Sequence, residues 1–492
     1  MRIAIIGGGV AGLAAAYELE KARRGGQAVE YTLYEAGDRL GGVLATEVVN
    51  GAVLERGPDS FLSDKPAAAE LCRELGLGND LIPSNDAERQ TCIVVKNRLI
   101  PLPDGLMFLI PTKLVPTALT PLFSIPTKIR MGLELLIPPR PSDSDESVAA
   151  LVERHFGPEV VDRLADPLLS GIYGGDAAKL SARTVLPKLV EMETLYGSMT
   201  RGMLAAHRAM RKRAAAQKAA PSNGAPRPAG PRGIFTTLRL GLQQMIDALE
   251  AYIDPASVRR ATSVTALQRT GSEWRVTTAT GTETFDGVVL ATPAWAAGKM
   301  LDPVDDELGR ELGSIPYSSS ITLNLVYDEK ALGPLPKGFG FLVPQSEGRA
   351  MLACTFVHRK FARTSAPGKV VLRAFLGGMR QESLLAESDE ALAAIVRREL
   401  TEILGERIAP STAVPEHVQV ARWRRAMAQY AVGHQERMKF IRKRVEALPG
   451  LKLAGNAYDG IGIPDCIRLG RTGVRELLGV SQPAPAAVPA AR

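Results

Sequence analysis

Three glycines near the start of the chain, Gly7, Gly9 and Gly12, have the spacing of a tight strand-to-helix turn. They follow a short β-branched apolar run from Arg2 to Ile6, which predicts a buried parallel strand, and a helical pattern continues after Gly12. In such a turn the first glycine permits the bend, the second lets a phosphate approach the backbone, and the third lets helix and strand pack closely. The helix N-terminus then attracts the anion, so the segment predicts a site for a dinucleotide pyrophosphate.

An acidic residue follows the second predicted strand. That strand runs from Glu30 to Tyr34 and is followed by Glu35. A carboxylate at this point can accept hydrogen bonds from a ribose, and its charge repels a 2′-phosphate, which disfavours NADP. Arg39 and the glycine pair Gly41 and Gly42 come next, and this element favours FAD as the dinucleotide.

Composition indicates a globular protein of two or three domains. The chain has 492 residues, which is too long for one ordinary hydrophobic core, and 45% of its residues are hydrophobic. Its net charge is +7, with basic residues concentrated at 201–232 and 422–444. Because no nucleic-acid-binding motif accompanies these basic segments, we expect no nucleic-acid partner.

Cysteine and histidine spacing gives no sign of a metal site. The four cysteines include no C-x-x-C pair, and the five histidines have no ligand spacing. This pattern is typical of a reduced intracellular protein without disulfides. The first apolar run is too short for a signal peptide, and no run of roughly twenty uncharged apolar residues occurs. We therefore expect a cytoplasmic protein without a membrane-spanning helix.

An apolar stretch from Leu106 to Pro139 is interrupted by prolines and contains spaced cations, among them Lys113, Lys128 and Arg130. Short apolar helices with such cations are typical of a protein face that lies on a membrane surface. A helical subdomain that covers a substrate cavity would have the same pattern, and both roles are compatible. The sequence thus predicts a helical unit, with peripheral membrane attachment as one of its two roles.

Later segments predict that the chain returns to its first domain. One helix is predicted from Glu146 to Arg163, with Ser144 or Asp145 as its cap. Strands within 257–293 return to the first sheet, and strands with one helix between 319 and 404 predict a separate substrate domain. At the end, a strand at 451–456, a glycine-rich turn and a helix at 468–478 offer a second cofactor contact.

Three motifs give the chain a resemblance to the oxygen-dependent, flavin-containing protoporphyrinogen oxidases and the related bacterial coproporphyrinogen III oxidases. They are Gly57-Pro-Asp-Ser-Phe61, the segment 167–180 that begins Pro-Leu-Leu-Ser-Gly-Ile-Tyr-Gly-Gly-Asp, and the segment 454–465, Ala-Gly-Asn-Ala-Tyr-Asp-Gly-Ile-Gly-Ile-Pro-Asp. Arg422-Trp423, Gln429-Tyr430 and Gly433-His434 match a further family stretch, in which Ala428 stands in place of the usual proline. The resemblance covers nearly the whole chain.

The resemblance implies an α/β and α+β fold: a discontinuous Rossmann-like FAD-binding domain, a mixed-sheet substrate domain and a helical membrane-associated subdomain. The expected boundaries are 1–88, 233–298 and 446–480 for the FAD-binding domain, 89–103 and 299–445 for the substrate domain, 104–200 for the helical domain that caps the cavity, 201–232 for a flexible basic insertion and 481–492 for a disordered tail.

The activity that the resemblance implies is the six-electron oxidation of protoporphyrinogen IX to protoporphyrin IX in heme biosynthesis, with dioxygen as acceptor and hydrogen peroxide as product. Coproporphyrinogen III is the alternative substrate. Since the flavin performs the difficult step, no catalytic side chain and no metal are expected. Another flavin oxidase, such as an amine oxidase, and a non-catalytic flavin-binding protein are further alternatives, although an aromatic content of 5% disfavours the aromatic cage of an amine oxidase. The sequence leaves the oligomeric state open, a homodimer included.

The expected site residues follow from the motifs and the resemblance. FAD contacts are expected at Gly7, Gly9, Val10, Ala11, Gly12, Glu35, Ala36, Arg39, Gly41, Gly42, Gly57, Pro58, Asp59, Ser60, Val264, Trp423, Gly455, Asn456, Gly462 and Ile463. For the substrate, the resemblance points to the backbone at Gly171, to Leu342 and Phe361 as apolar walls, and to Arg89 as a cation for a carboxylate arm. Core packing is the alternative for the two apolar residues, and an ordinary exposed side chain is the alternative for Arg89.

Overall fold

The structure is a computed structural model that describes residues 1–103, 106–107, 110–111, 114–137, 144–219, 233–362 and 367–480. The strands are β1 Arg2–Ile6, β2 Glu30–Tyr34, β3 Thr46–Val49, β4 Ala52–Glu55, β5 Phe61–Leu62, β6 Leu81–Pro83, β7 Thr91–Val95, β8 Arg98–Pro101, β9 Leu106–Met107, β10 Ile110–Pro111, β11 Phe235–Leu238, β12 Val258–Arg259, β13 Val264–Thr270, β14 Glu273–Thr278, β15 Gly281–Phe285, β16 Gly287–Leu290, β17 Tyr317–Asp328, β18 Gly340–Leu342, β19 Met351–Phe356, β20 Lys369–Gly377, β21 His417–Ala428 and β22 Leu451–Leu453.

The α-helices are α1 Val10–Arg24, α2 Pro66–Glu74, α3 Leu114–Leu119, α4 Ile125–Leu133, α5 Val148–Phe156, α6 Pro158–Val160, α7 Asp166–Tyr173, α8 Ala182–Val185, α9 Pro187–Tyr196, α10 Met199–Ala219, α11 Gln243–Tyr252, α12 Ala294–Leu301, α13 Asp306–Gly313, α14 Val357–Lys360, α15 Asp389–Leu404, α16 His434–Glu446 and α17 Ile463–Leu477. Helices and strands both occur along the whole chain, so the mixed α/β architecture predicted from the sequence is confirmed.

The N-terminal strand is the centre of a five-stranded sheet with the order β12-β2-β1-β16-β22. All of its pairings are parallel, and helices cover both faces. Ile3 and Ile5 pack on one face among residues of α1 and α17, whereas Ala4 and Ile6 pack on the other among residues of α12 and α13. This alternation accounts for the continuous apolar run that the sequence shows in this strand. Strands from the beginning, middle and end of the chain thus share one sheet.

A second, mixed sheet has seven strands in the order β21-β17-β20-β19-β18-β7-β8. Its pairings are antiparallel except for the parallel pair of β18 with β7, and α15 packs on it through Leu392 and Val396. Strand β21 and the following helix α16 were not predicted. The arginines at 422, 424 and 425 interrupt the apolar alternation in β21, which an edge strand tolerates because one side of it faces solvent.

Helices α4 to α10 form a helical unit around an apolar core that also includes Ile93 of β7. The prediction of one helix from Glu146 to Arg163, capped by Ser144 or Asp145, is wrong. Helix α5 ends at Phe156 because Gly157 adopts φ 92° and the next residue is Pro158. Its cap is Ser147, whose Oγ accepts a hydrogen bond from the backbone N–H of Ala150 at 3.1 Å. After α6 the chain passes through a π-helical turn, Val161–Ala165, before α7.

The described part of the apolar stretch begins with the paired strands β9 and β10, continues as α3, α4 and a short 3-10 turn, and carries large exposed side chains. Those more than half exposed are Val115, Leu119, Ile125, Ile129 and Leu136. Lys113, Pro139, the later part of the basic insertion, 220–232, and the tail at 481–492 lie outside the described residues. The earlier part of the insertion, 201–219, belongs to α10. Over the described ranges, no helix is both long enough and apolar enough to span a membrane.

A buried carboxylate lies beneath this apolar face. Glu134 is fully buried and accepts hydrogen bonds from Ser198 Oγ at 2.7 Å and from Met199 N at 3.0 Å at the start of α10. Its Oε1 lies 2.9 Å from Nδ1 of the equally buried His155, whose Nε2 lies 3.2 Å from Glu193 Oε1. Burial opposes both charges, but these hydrogen bonds outweigh it, lowering the pKa of Glu134 to about 2 and raising the pKa of His155.

The His155→Leu variant should lose stability in a pH-dependent way. The Glu134 contribution is complete above its unfolded pKa of about 4.5, and the His155 contribution is complete below its unfolded pKa of about 6.5 and is lost as pH rises through the raised value. Removing one partner of a buried ion pair costs about 3–5 kcal/mol. The urea midpoint should therefore fall most near pH 5.5 and less at pH 9. His207→Leu, at an exposed position of α10, is the control, and an equal loss at both pH values would contradict this account.

Candidate cofactor and substrate site

The glycine turn leaves open space at its centre. A Cβ on Gly12 would lie 1.9 Å from the carbonyl oxygen of Gly7, so no side chain fits between turn and helix. A Cβ on Gly9, in contrast, would meet no atom within 4 Å. Gly9 is also the N-cap of α1, and a glycine has no side chain to bond to the first N–H groups of the helix. The turn therefore has both the space and the free donors that a phosphate needs, with Val10 and Ala11 in the first helical turn.

Glu35 is held at the edge of this turn. Its Oε2 accepts a hydrogen bond from Gly8 N at 2.6 Å, and its Oε1 accepts one from Gly37 N at 2.7 Å. Its carbonyl oxygen accepts a bond from Thr262 N at 2.8 Å, which brings the chain just before Val264 to the same end of the sheet. Ala36 follows Glu35 and is exposed. The predicted ribose contact thus lies beside the predicted phosphate contact.

The second glycine pair lies against the first turn. Gly41 N donates a hydrogen bond to Gly8 O at 2.8 Å, and a Cβ on Gly42 would lie 3.3 Å from the Cα of Gly9. Arg39 donates to the carbonyl oxygens of Leu40, Leu44 and Gly42, so its guanidinium fixes the shape of this loop.

The loop from Gly57 to Ser60 is attached to the seven-stranded sheet by charge. Lys360 Nζ lies 3.0 Å from both carboxylate oxygens of Asp59, and Arg373 Nη1 lies 3.7 Å from Oδ2. Arg373, only 2% exposed, also donates to the carbonyl oxygen of Gly57. Although burial alone would raise the pKa of Asp59, the charges of Lys360 and Arg373 hold it well below its usual range. Pro58 and Ser60 are thereby fixed beside the cleft described below.

Strand β21 contacts the same part of the chain. Trp423 Nε1 donates a hydrogen bond to the carbonyl oxygen of Arg56 at 2.7 Å. At the end of β21, Ala428 is followed by Gln429 and Tyr430, and the Tyr430 hydroxyl donates to Asn456 O and accepts from Gly460 N, both at 2.9 Å. One tyrosine therefore holds the glycine-rich segment that follows β22 at two points, Asn456 and Gly460.

Helix α17 begins earlier than the sequence predicted. It starts at Ile463 rather than 468, with Gly462 as N-cap and Pro464 in the first turn, where its missing N–H costs no hydrogen bond. A Cβ on Gly470 would lie 2.1 Å from Ala11 O, so α17 packs directly on the backbone of α1. Gly470 was not among the predicted residues, although a glycine inside a helical pattern signals such a close approach.

The carboxyl ends of three adjacent parallel strands meet at this site. Gly7 follows β1, Ala291 and Thr292 follow β16, and Gly455 follows β22; a Cβ on Gly7 would lie 2.7 Å from Ala291 O, and one on Gly455 would lie 3.8 Å from Thr292 O. Ligands of open parallel sheets bind at this end of the strands. The buried Thr292 hydroxyl has no hydrogen-bond partner among the described residues. The free hydroxyl, the open space at Gly9 and the Glu35 carboxylate together fit a dinucleotide.

A cleft of about 1070 Å³ adjoins these residues. Pro58, Ser60, Gly462 and Ile463 of the predicted cofactor contacts line it. The lining also includes the aromatic side chains of Phe61, Tyr173, Phe235, Tyr430 and Tyr458. The predicted end of the cofactor therefore lies beside a space large enough for a sizeable organic ligand.

Two of the four predicted substrate residues are in contact. A Cβ on Gly171 would lie 3.2 Å from Leu342 Cδ2, and Gly171 is followed by residues that line the cleft. Arg89 is exposed just before β7, the strand paired with the one that carries Leu342. Phe361 is fully buried, with Lys360 Nζ 5.2 Å from its ring centroid. The substrate roles of these four residues remain predictions.

The most important side chains of the site that sequence reasoning missed are Lys360 and Arg373. Neither belongs to a motif, and their partners are far away in the sequence. Tyr430 belongs to a motif of the resemblance, which gave no indication of its role in holding the glycine-rich segment.

Comparison with known proteins places the chain in a family. Residues 10–478 match the family described as flavin containing amine oxidoreductase. The chain belongs to this family. It is 34% identical over 479 residues to coproporphyrinogen III oxidase of Bacillus subtilis, covering 97% of each chain, and 30% identical over 497 residues to human protoporphyrinogen oxidase, covering 97% and 98%. These matches confirm the resemblance and the predictions of an oxidoreductase and of a flavin cofactor.

Solved structures agree with this family. The crystal structure of a protein from Exiguobacterium sp. 255-15 superposes with a TM-score of 0.82 at 32% identity, covering 97% of this chain and 98% of the other. A putrescine oxidase shares the fold with a TM-score of 0.67 at 17% identity, again covering 97% and 98%.

The Gly9→Val variant should fold but purify without flavin. Gly9 has φ −70° and ψ 178°, an extended conformation that valine adopts easily, and the new side chain would occupy the open space at the centre of the turn. The measurement is the ratio of flavin absorbance to protein absorbance. Gly313→Val, at another glycine whose Cβ would meet nothing within 4 Å, is the control. Full flavin occupancy in Gly9→Val would show that the pyrophosphate lies elsewhere.

Proposed function

We propose that the chain is an FAD-dependent porphyrinogen oxidase that uses dioxygen and releases hydrogen peroxide. The proposal rests mainly on the 1070 Å³ cleft, which adjoins the predicted flavin contacts and has both apolar and cationic side chains in its lining. The names of the relatives in bacteria and in human point to the same substrate class.

FAD would be held along the carboxyl ends of the parallel strands in a Rossmann-like arrangement. The turn at Gly7–Gly12 would bind the pyrophosphate, and Glu35 would bind the ribose. The ring end would lie between the loop at 57–60, Trp423 and the segment 455–463. The hydrogen bonds of Tyr430 with Asn456 O and Gly460 N support this arrangement, because they fix the segment 455–463.

When bound, the flavin would accept a hydride equivalent from the porphyrinogen in each of three cycles. Two titratable side chains of the cleft, His434 and Tyr173, would supply position and shape rather than charge. His434 remains neutral near pH 7 because burial lowers its pKa to about 4, and Tyr173 remains protonated because burial raises its pKa to about 12. Of the residues that the resemblance implies for the tetrapyrrole, Gly171 adjoins the cleft through Ile172, whereas the fully buried Phe361 fits the core-packing alternative. Leu342 and Arg89 stay predictions.

Coproporphyrinogen III is the favoured substrate, and protoporphyrinogen IX is the second candidate. The bacterial relative at 34% identity carries the first name, whereas the human relative at 30% carries the second. Coproporphyrinogen has four propionate arms and protoporphyrinogen has two, and Lys65, Lys439, Arg442 and Arg468 all line the cleft. The same cations disfavour an amine substrate, because an ammonium group would be repelled.

The purified flavin-loaded protein should convert one coproporphyrinogen III to one coproporphyrin III while consuming three dioxygen molecules and forming three of peroxide. Porphyrin fluorescence, an oxygen electrode and a peroxidase-coupled assay measure the three quantities. We expect kcat/KM to be higher for coproporphyrinogen III than for protoporphyrinogen IX, and no dependence on NAD. No porphyrin above the rate of spontaneous oxidation with either substrate would refute the proposed function.

We also propose that the exposed apolar face of α3 and α4 attaches the protein peripherally to a membrane from the cytoplasmic side. The exposed side chains of Leu119 and Ile125 support this, since exposed apolar surface of this kind favours an interface. A homodimer remains a possibility raised by the sequence alone.

Replacing Leu119 and Ile125 by Gln should reduce flotation with vesicles of anionic phospholipid, because the apolar contact with the acyl region is lost. High salt should weaken only the electrostatic part of binding. Val414→Gln removes an equally exposed apolar side chain outside the helical unit and should change nothing. If the wild-type protein does not float with these vesicles, the proposal of membrane attachment is wrong and the face serves only to cover the cavity.

A further inference from the structure

One face of α16 forms part of the cleft. The residues of this helix that line it are His434, Gln435, Met438, Lys439 and Arg442. Their spacing brings them to one side of a helix with 3.6 residues per turn. Lys439 and Arg442 are both exposed, so the cationic ends of this face are accessible from solvent.

The cleft carries more positive than negative charge. Its four cations, Lys65, Lys439, Arg442 and Arg468, face two acids, Asp459 and Asp465. Lys65 Nζ lies 2.6 Å from Asp465 Oδ2, Arg468 Nη2 lies 3.8 Å from Oδ1 of the same carboxylate, and Arg442 pairs with Asp459.

Lys439 is the cation of this set without a partner: it forms no hydrogen bond or ion pair with any residue that the structure describes. The Tyr458 hydroxyl on the same cleft is buried and also has no partner among the described residues. Excess charge, a free ammonium and a free hydroxyl are together suited to an anionic ligand with several oxygen atoms.

We propose that Lys439, together with Arg442, binds carboxylate arms of the substrate and so favours a tetracarboxylate porphyrinogen over a dicarboxylate one. This inference rests on the proposed function and adds the residues that determine specificity. The apolar walls, such as Phe61, Ile172 and Val185, accept the macrocycle, while the cations of α16 meet the arms that extend toward solvent. A substrate with four arms presents a carboxylate to these cations from several edges of the macrocycle, whereas one with two neighbouring arms does so only when that one edge faces α16.

The experiment measures binding of coproporphyrin III to the flavin-loaded protein by fluorescence titration, a readout that does not depend on turnover. Lys439→Gln should raise Kd about tenfold, the loss of one charge-assisted hydrogen bond, and Lys439→Arg should restore most of the affinity. Lys443→Gln is the matched control, because this exposed lysine of α16 makes the same charge change outside the cleft lining. It should leave Kd within about twofold.

Two further ligands separate carboxylate binding from ring binding. The tetramethyl ester of coproporphyrin III, which has no charge, should bind Lys439→Gln and wild type equally. Protoporphyrin IX, with two arms, should lose less affinity than coproporphyrin III. An equal Kd for coproporphyrin III in wild type and in the double variant Lys439→Gln/Arg442→Gln would overturn the inference while leaving the proposed function intact. If wild type oxidises neither porphyrinogen, it is the proposed function that fails.

Discussion

The charge contact of Asp59 with Lys360 and Arg373 is the interaction on which the site depends. Arg373 is almost completely buried in the seven-stranded sheet, and an unpaired charge there would be costly. Asp59 supplies the opposite charge, and Gly57 accepts a hydrogen bond from the same guanidinium. The position of the 57–60 loop, which is one wall of the cleft, is therefore set by a sheet that belongs to a different part of the chain. Neighbouring contacts strengthen the attachment, since Asn324 Nδ2 donates to Glu55 O at 2.9 Å.

Close approach of backbones is the second constraint. At Gly12, Gly57 and Gly470 an added Cβ would lie within about 2 Å of a carbonyl oxygen of another segment. These three contacts join α1 to its own turn, the 57–60 loop to the segment around Val43, and α17 to α1. Because segments from both ends of the chain converge without intervening side chains, the space at Gly9 stays free for a ligand. The glycines thus bring the chain together, and the buried charges determine which loops face the cleft.

The sequence predicted the local elements of the site well and its long-range contacts poorly. The turn at Gly7–Gly12 and strand β2 with Glu35 depend on patterns within a few residues, and both form as predicted. Helix α5 stops early because Gly157 and Pro158 override the apolar periodicity. Arg373 binds Gly57, which lies 316 residues earlier, and no local pattern signals a pair so far apart. Strand β21 was not predicted because its arginines interrupt the apolar alternation. An edge strand tolerates them, but only the order of strands in the sheet shows that β21 is at an edge.

In the proposed complex, flavin and tetrapyrrole meet where the 57–60 loop, the 455–463 segment and the α16 face converge. A crystal structure of the flavin-loaded protein with coproporphyrin III tests it most directly. We expect the flavin ring system beside Gly57–Ser60 and Gly462, with the porphyrin in the adjoining cleft and at least one propionate within hydrogen-bond distance of Lys439 Nζ. Density for the porphyrin outside this cleft, or for the flavin ring away from these two loops, would contradict it.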